Sequence, residues 1–503
     1  MGSCNVHALT TEETMYRRDF LIRAAGAAGA LATLRPGRSA FALPAERAAQ
    51  DPLAPPPPFR ISLAQWSLNQ TLFSKKLDNL DFPRHAKEAY GIDTVEYVDQ
   101  FFADKARDAA YLAELRKRCE GEGVRSGLIM VDTAGNLGDG DAEKRARAVE
   151  GHKAWLDAAK ALGCHALRVN ARGGGSPEEL VKRMAESCEK LVEHAQKLDL
   201  NFIIENHGGP SSDADWLTAL FRRVPSPWFG ALPDFGNFPD EADRYAHVTK
   251  LMPFAKAVSA KAMKFDASGN VVETDYPRMM RIVLDAGYRG YVGIESGASS
   301  AEGEPEAIRK TKAILEKIRA EQPVLKPLWN GRDLQGWAKV GGGEWTVEDG
   351  SLVARHGKDW STDPSRSGSW LRTEKEYGDF ELSLEYTLKQ GSNSGVFIRS
   401  LLERNPAFTG YEVQLHDSPG RPPSKGGPGS LYDFIAPAKN RVRPAGEWNE
   451  VRVIAKGPSI RVHVNGEMVI DTRGDRSPRG YIGLQNHDER SEARFRRIVL
   501  AEI

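Results

Sequence analysis

Three carboxylates close short apolar runs in the middle of the chain: Glu205 after Asn201-Phe202-Ile203-Ile204, Asp234 after Gly230-Ala231-Leu232-Pro233, and Glu295 after Tyr291-Val292-Gly293-Ile294. A lone carboxylate at the end of a buried strand is costly unless something cationic binds it. One such residue is explained by a helix cap or a lysine partner; three on neighbouring runs read as oxygen ligands converging on a divalent metal, Mn2+, Mg2+ or Zn2+. Strand periodicity returns the side chain two residues on to the same face, placing His207 with Glu205 and Lys261 with Ser259. His207 is a candidate further ligand, and either His207 or Lys261 could move a proton while the other polarises a carbonyl. Gln65 and Trp66 after an earlier run, Glu96 in the next, and Arg168 and Asn170 in the fourth are candidate substrate contacts.

Positioning these groups requires parallel strands that end side by side. A chain of 503 residues is too long for one ordinary core. From residue 59 to about 320, β-rich runs alternate with amphipathic stretches: Ile61–Gln65, Thr94–Val98, Gly127–Val131, Ala166–Asn170, Asn201–Glu205, Gly230–Asp234, Ala257–Lys261 and Tyr291–Glu295. Between them, Ala142–Leu162 and Ser176–Leu198 have helical period, the second opening with Ser176, Pro177 and Glu179 in capping-box order. Eight βα units in about 260 residues predict a TIM barrel, whose chemistry sits at the C-terminal strand ends. The alternative is an open doubly wound sheet, but no G-x-G-x-x-G follows the first run.

After a short linker at 321–326 the helical periods stop, and residues 327–503 read as an all-β module. Glu381–Tyr386 and Tyr411–His416 alternate cleanly, and Asn465-Gly466 joins Arg461–Val464 to Met468–Ile470 as a hairpin. Two antiparallel sheets of this size make a jelly-roll sandwich. One face of Tyr411–His416 carries Glu412, Gln414 and His416; a solvated outer face is the default reading, a sugar-binding face the other. Trp370, Tyr432 and Trp448 could supply stacking surfaces.

Lysine plus arginine number 69, as do aspartate plus glutamate, so no global field draws the protein to nucleic acid or anionic lipid. The four cysteines form no metal spacing and no disulfide framework, and read as packing residues. At the start, Tyr16-Arg17-Arg18-Asp19-Phe20-Leu21, an apolar stretch at 24–34 and Ala40-Phe41-Ala42 resemble a twin-arginine export signal over 1–42. Its apolar run is too short to span a bilayer, so a periplasmic protein with a cleaved signal and no stable membrane anchor is expected. Residues 43–58, ending in four prolines, read as a stiff leader.

The motifs Glu205-Asn206-His207-Gly208, Pro233-Asp234-Phe235-Gly236-Asn237, Val258-Ser259-Ala260-Lys261 and Gly293-Ile294-Glu295 resemble the xylose-isomerase-like sugar phosphate isomerase/epimerase barrels over about 59–320. That resemblance implies one divalent metal with Glu205, Asp234 and Glu295 as ligands. Ser259 stands where the family's seventh-strand histidine would be, leaving His207 or water to complete the shell. In the second module, Leu328-Trp329-Asn330-Gly331, Asn393–Arg399, Gly410–Gln414, Gly446-Glu447-Trp448-Asn449 and Gly483–His487 resemble the 3-keto-disaccharide hydrolase domain, a concanavalin-like sandwich. It implies 3-keto-glycoside substrates, with Arg399, Glu412, Gln414 and His487 as pocket candidates, Glu412 or His487 acting as acid or base.

A ketone at C3 acidifies the C2 hydrogen, so a base can remove it, the C1 substituent can leave by β-elimination, and water can then add across the double bond. The expected activity is therefore periplasmic cleavage of 3-keto-glycosides. A metal-dependent sugar isomerase or epimerase with an accessory sandwich, or a carbohydrate binder without catalysis, are the alternatives. The substrate would come from a separate oxidoreductase, because no dinucleotide fingerprint follows a strand here.

Overall fold

The computed structural model describes residues 56–358 and 365–503; the expected export signal and most of the proline-rich leader lie outside them. Eight parallel strands, β1 (Arg60–Ala64), β2 (Thr94–Val98), β3 (Arg125–Val131), β4 (Ala166–Asn170), β5 (Asn201–Glu205), β6 (Phe229–Leu232), β7 (Val258–Ala262) and β8 (Tyr291–Ser296), form one sheet. It is ordered β6-β5-β4-β3-β2-β1-β8-β7, and its ends meet. Ser259 N donates to Pro233 O at 3.0 Å and Phe235 N to Ser259 O at 3.1 Å, closing a TIM barrel. The helix Ala142–Leu162 forms as its period predicts, and Pro177–Lys197 starts from a full capping box between Ser176 and Glu179.

Alternation sorts the strand residues. Leu63, Val95, Ile129, Val169, Ile204 and Ile294 face the helices and join the main core. Inward residues are apolar low in the barrel, as with Leu128, Ile203 and Ala257, and become charged toward the C-terminal mouth. Gly293 shows how tightly the interior is filled: a Cβ there would lie 2.6 Å from the Glu96 carboxylate oxygens.

The C-terminal module is a sandwich of two antiparallel sheets. The smaller, five-stranded sheet runs Trp337–Val340, Trp370–Tyr377, Gly480–Gln485, Asn393–Ser400, Tyr411–His416. The larger contains Phe380–Leu388 between Ala493–Glu502 and Asn449–Lys456, followed by Ser459–Val464 and Glu467–Arg473. Asn465 and Gly466 take the positive φ values, 52° and 88°, that a tight hairpin needs. Leu382, Leu384, Val451 and Val453 from one sheet meet Val396, Ile398, Val413 and Leu484 from the other in the core.

The larger sheet turns its outer face onto the N-terminal ends of the barrel strands. Glu381 accepts from Arg289 on the barrel at 3.0 and 3.1 Å and from Arg452 at 2.5 Å. Lys439 reaches Asn201 at 2.6 Å and Glu467 at 3.1 Å, its ammonium 3.9 Å above the Trp228 ring. Arg441 pairs with both Asp199 and Glu467. The five-stranded sheet lies on the far side of the sandwich, and the barrel mouth stays clear of it. Among the described residues, no helix is long and apolar enough to cross a membrane.

Candidate functional site

At the barrel mouth Glu205, Asp234 and Glu295 are all buried, each offering an oxygen within 4.8 Å of the others. Parallel register makes this happen: Lys261 stands opposite Glu295 on adjacent strands, and Asn170 opposite Glu205. Lys261 Nζ donates to Glu295 Oε1 at 2.6 Å, while Arg168 pairs with Glu205 and donates to Asp132 at 2.8 Å. Asp234 Oδ1 accepts from the backbone N–H groups of Gly236 and Asn237, and Asn237 Nδ2 donates to Glu205 Oε1, all at 2.8 Å. Deeper in the barrel Glu96 accepts from Ser62 at 2.5 Å. Burial pushes the Glu96 carboxyl up to about 7, and burial lifts Asp234 against the pull of Lys261 and Glu205 against the pull of Arg168.

These residues fit a hard divalent cation. Asp234 Oδ2 and Glu96 Oε2 are buried without a hydrogen-bond partner, and Glu96, Asp132, Glu205, Asp234 and Glu295 outnumber the cations Arg168 and Lys261 among them. His207 is not part of that oxygen cluster: its half-buried ring follows β5 at the mouth, where burial and the nearby Arg168 and Lys261 push its pKa down. The expected further ligand His207 thus lies outside the cluster of three carboxylates, on the loop that follows the end of β5 at Glu205. Lys261, the other expected proton acceptor, donates to Glu295, and its pKa is raised, against its burial, by Glu295, Asp234 and Glu205.

Gln65 is spent inside the fold, its amide donating to Asn79 at 2.5 Å and its carbonyl accepting from Val98 N at 2.7 Å, so it holds the loop after β1 and is not free for substrate. Trp66 packs with Phe73 and Phe101 beside the mouth. Asn170 donates to Asp132 at 2.5 Å. Asp132 and Asn237 were missed as site residues. Asp132 directly follows an apolar run, the same signal that marked Glu205, and Asn237 lies within a motif already noted.

On the outer face of the five-stranded sheet, Glu412, Gln414, Gln485 and Trp370 form a buried floor. Glu412 faces Phe397, Gln414 faces Gly395, and Trp370 faces Gln485 across the ladders. Gly395 and Gly483 make the space: a Cβ on the first would lie 2.1 Å from Glu412 Oε1, and on the second 2.3 Å from the Trp370 ring. Gln485 Nε2 donates to Glu412 Oε1 at 2.9 Å, and burial pushes this carboxyl up to about 8. Half-buried Tyr432, Phe408, His416 and Tyr481 surround the floor, and His487, held by Asp488 at 2.7 Å, lies near His416.

Arg399 is not in this pocket. Its backbone turns left-handed (φ 51°) at a bulge, sending the guanidinium to Gly378 O, Gly457 O and Asp379, where it clamps two turns. Trp448 directly precedes the strand Asn449–Lys456 of the other sheet, with Arg496 3.7 Å above its ring. Trp370 is a wall against Phe397 and not an open platform. Cys119, Cys164 and Cys188 are buried free thiols.

Residues 83–318 match the family described as xylose isomerase-like TIM barrel, and residues 325–501 that described as 3-keto-alpha-glucoside-1,2-lyase-like domain. A curated 3-keto-disaccharide hydrolase of Bacteroides thetaiotaomicron is 25% identical over 165 residues, which cover 29% of this chain and 57% of that relative, little more than half its length. A Parabacteroides distasonis protein described as a glycosyl hydrolase is 25% identical, covering 36% of this chain and 99% of its own, with a TM-score of 0.30. The E. coli 3-keto-D-glucoside 4-epimerase is 16% identical, covering 52% of this chain and 99% of its own, with a TM-score of 0.43. The chain thus joins a xylose isomerase-like TIM barrel to a 3-keto-alpha-glucoside-1,2-lyase-like domain.

Proposed function

We propose that this protein cleaves 3-keto-glycosides, removing the C2 proton at the barrel mouth and expelling the C1 substituent by β-elimination, with hydration completing the cleavage. The observation that carries this reading is the buried cluster of Glu205, Asp234 and Glu295 with two cations among them. The lyase-like description of the appended domain and the name of the curated relative support the substrate class. Glu205, Asp234 and Glu295 would hold a divalent cation, their all-oxygen donors favouring Mn2+ or Mg2+ over Zn2+, and the cation when bound would supply Lewis-acid polarisation of a sugar carbonyl. Lys261 and Arg168 offset negative charge developing on the C3 oxygen, and the neutral His207 imidazole at the rim accepts the proton from C2. Asp132, Asn170 and Asn237 hold these groups in place.

Export by the twin-arginine route to the periplasm, and supply of the 3-keto substrate by a separate oxidoreductase, are part of the same proposal and rest on the sequence and on the chemistry. The test is release of the aglycone from a 3-keto-disaccharide and from the unoxidised disaccharide, with and without chelator and with Glu205→Gln. Release confined to the 3-keto form and lost with chelator and with the variant supports the reading. Equal cleavage of both sugars refutes it, and interconversion of sugars without cleavage points to the isomerase or epimerase instead.

A further inference from the structure

The strand ends divide the barrel mouth into two sectors. Strands β3 to β6 stand side by side and bring Asp132, Asn170, His207 and Asn237 to one half of the rim. In the other half, beyond Lys261 and Glu295, the segments that follow β7, β1 and β2 carry Met263, Trp66, Phe73 and Phe101. Trp66 and Phe101 pack on the inward-facing cluster that includes Ala64, Val98 and Met130, so they stand over the barrel interior. The Phe73 ring meets Trp66 edge on at 6.2 Å and Phe101 at 4.9 Å, yet it is 54% exposed. Met263 is 50% exposed and lies over the end of β8, where Gly297 leaves it room. Three rings in contact at the lip of a polar site form a contiguous apolar patch, and such patches mark binding surfaces.

The polar side chains of the same loop are already committed. Asn69 Nδ2 donates to Trp66 O at 2.6 Å, Gln70 Nε2 to Ala298 O at 2.9 Å, and the Thr71 hydroxyl to Glu304 at 2.6 Å. Gln65 is spent on Asn79 and Val98. A second sugar ring needs partners for its hydroxyls, and this sector presents rings and a thioether instead. We propose that the Trp66, Phe73 and Phe101 rim holds the aglycone, and that the barrel takes 3-keto-glycosides whose C1 substituent is planar and apolar in preference to a second sugar. The inference rests on the cleavage reading above and names the leaving half of its substrate. With the sugar hydroxyls and the C3 oxygen toward the polar sector and the carboxylates, the C1 substituent lies over the aromatic sector. Its burial there takes apolar surface of both ligand and Phe73 out of water, and a flat ring can meet Phe73 or Trp66 offset-stacked or edge to face. Phe73 is thereby a specificity-determining residue that touches the aglycone and not the reacting carbons.

The experiment compares the benzyl and methyl 3-keto-glucosides and a 3-keto-disaccharide as substrates of the full-length protein with Mn2+ present, and of its Phe73→Ala and Phe73→Trp variants. Benzyl alcohol is no better a leaving group than methanol or a sugar hydroxyl, so a preference for the benzyl substrate reports binding of its ring and not easier bond breaking. Wild type is expected to favour it in kcat/KM by about tenfold over the other two. Phe73→Ala should remove most of that preference through KM with kcat held, and Phe73→Trp should restore it. Thermal unfolding reports that each variant is folded. Wild type cleaving the disaccharide as well as the benzyl glucoside, or Phe73→Ala slowing all three alike, overturns the aglycone site and leaves the cleavage reading standing. A wild-type dimer that dissociates in Phe73→Ala by light scattering shows that a second copy covers the rim, and overturns it too. Wild-type protein that cleaves none of the three overturns both readings.

Discussion

Replacing Glu412 by glutamine should stabilise the sandwich at alkaline pH. The carboxyl is buried with one neutral donor, Gln485, and burial pushes it from 4.5 up to about 8. Below pH 4.5 it is protonated in both the folded and the unfolded chain. Between there and pH 8 the unfolded chain releases the proton and the folded chain keeps it, so folding stability falls as pH rises and levels off above 8. Taken in full, this costs about 3 kcal/mol at pH 7 and about 5 kcal/mol above pH 8. Glutamine has almost the same shape, keeps an acceptor for Gln485 and never ionises. Urea denaturation of wild type and Glu412→Gln from pH 5 to 9, followed by tryptophan fluorescence, should show the difference between them widening in favour of the variant as pH rises. Parallel curves would mean that Glu412 is ionised in the fold, and the argument for a neutral carboxyl there would fail.

At the junction of the domains, Arg289 and Arg452 hold the Glu381 carboxyl down at about 2, so its contribution is present above pH 4.5 and fades as pH falls toward 2; Glu381→Gln should cost about 3 kcal/mol at pH 7 by calorimetry or denaturant titration, and nothing at pH 2. Gly293→Ala should drive a methyl into Glu96 and cut aglycone release more than about tenfold while the melting temperature falls by only a few degrees; unchanged activity would show that Glu96 has no part in the mouth. Added Mn2+ at 100 times its dissociation constant should stabilise wild type by about 2.7 kcal/mol, and Asp234→Asn should abolish that thermal shift. Arg17→Lys together with Arg18→Lys should keep the protein out of a periplasmic fraction.

Much of the architecture could be read from the sequence because periodicity is a direct record of which side is buried. Strands β1 to β8, the capped helix from Pro177 and the Asn465-Gly466 hairpin each carry their own local signal. The carboxylates of the mouth were visible for the same reason, standing where an inward-facing position ought to be apolar. What escaped depended on distant partners. The sequence offers Lys261 as a possible base, and only the β7–β8 register sets Glu295 beside it. Arg399 sat within a persuasive motif, but a bulge redirected it to backbone carbonyls. The docking of the sandwich left no trace, because Glu450, Arg452 and Arg461 alternate with apolar residues as they would on a solvated face.

The joint between the domains has an electrical character of its own. Glu381 is shared by two arginines, and Glu467 by Lys439 and Arg441, so each anion bridges a pair of cations that would otherwise repel. Such a seam is held shut by protons being absent. In sufficiently strong acid the glutamates lose their charge, the crowded cations remain, and the molecule would come apart at its waist while the apolar cores of barrel and sandwich, which contain no such bargain, are still intact.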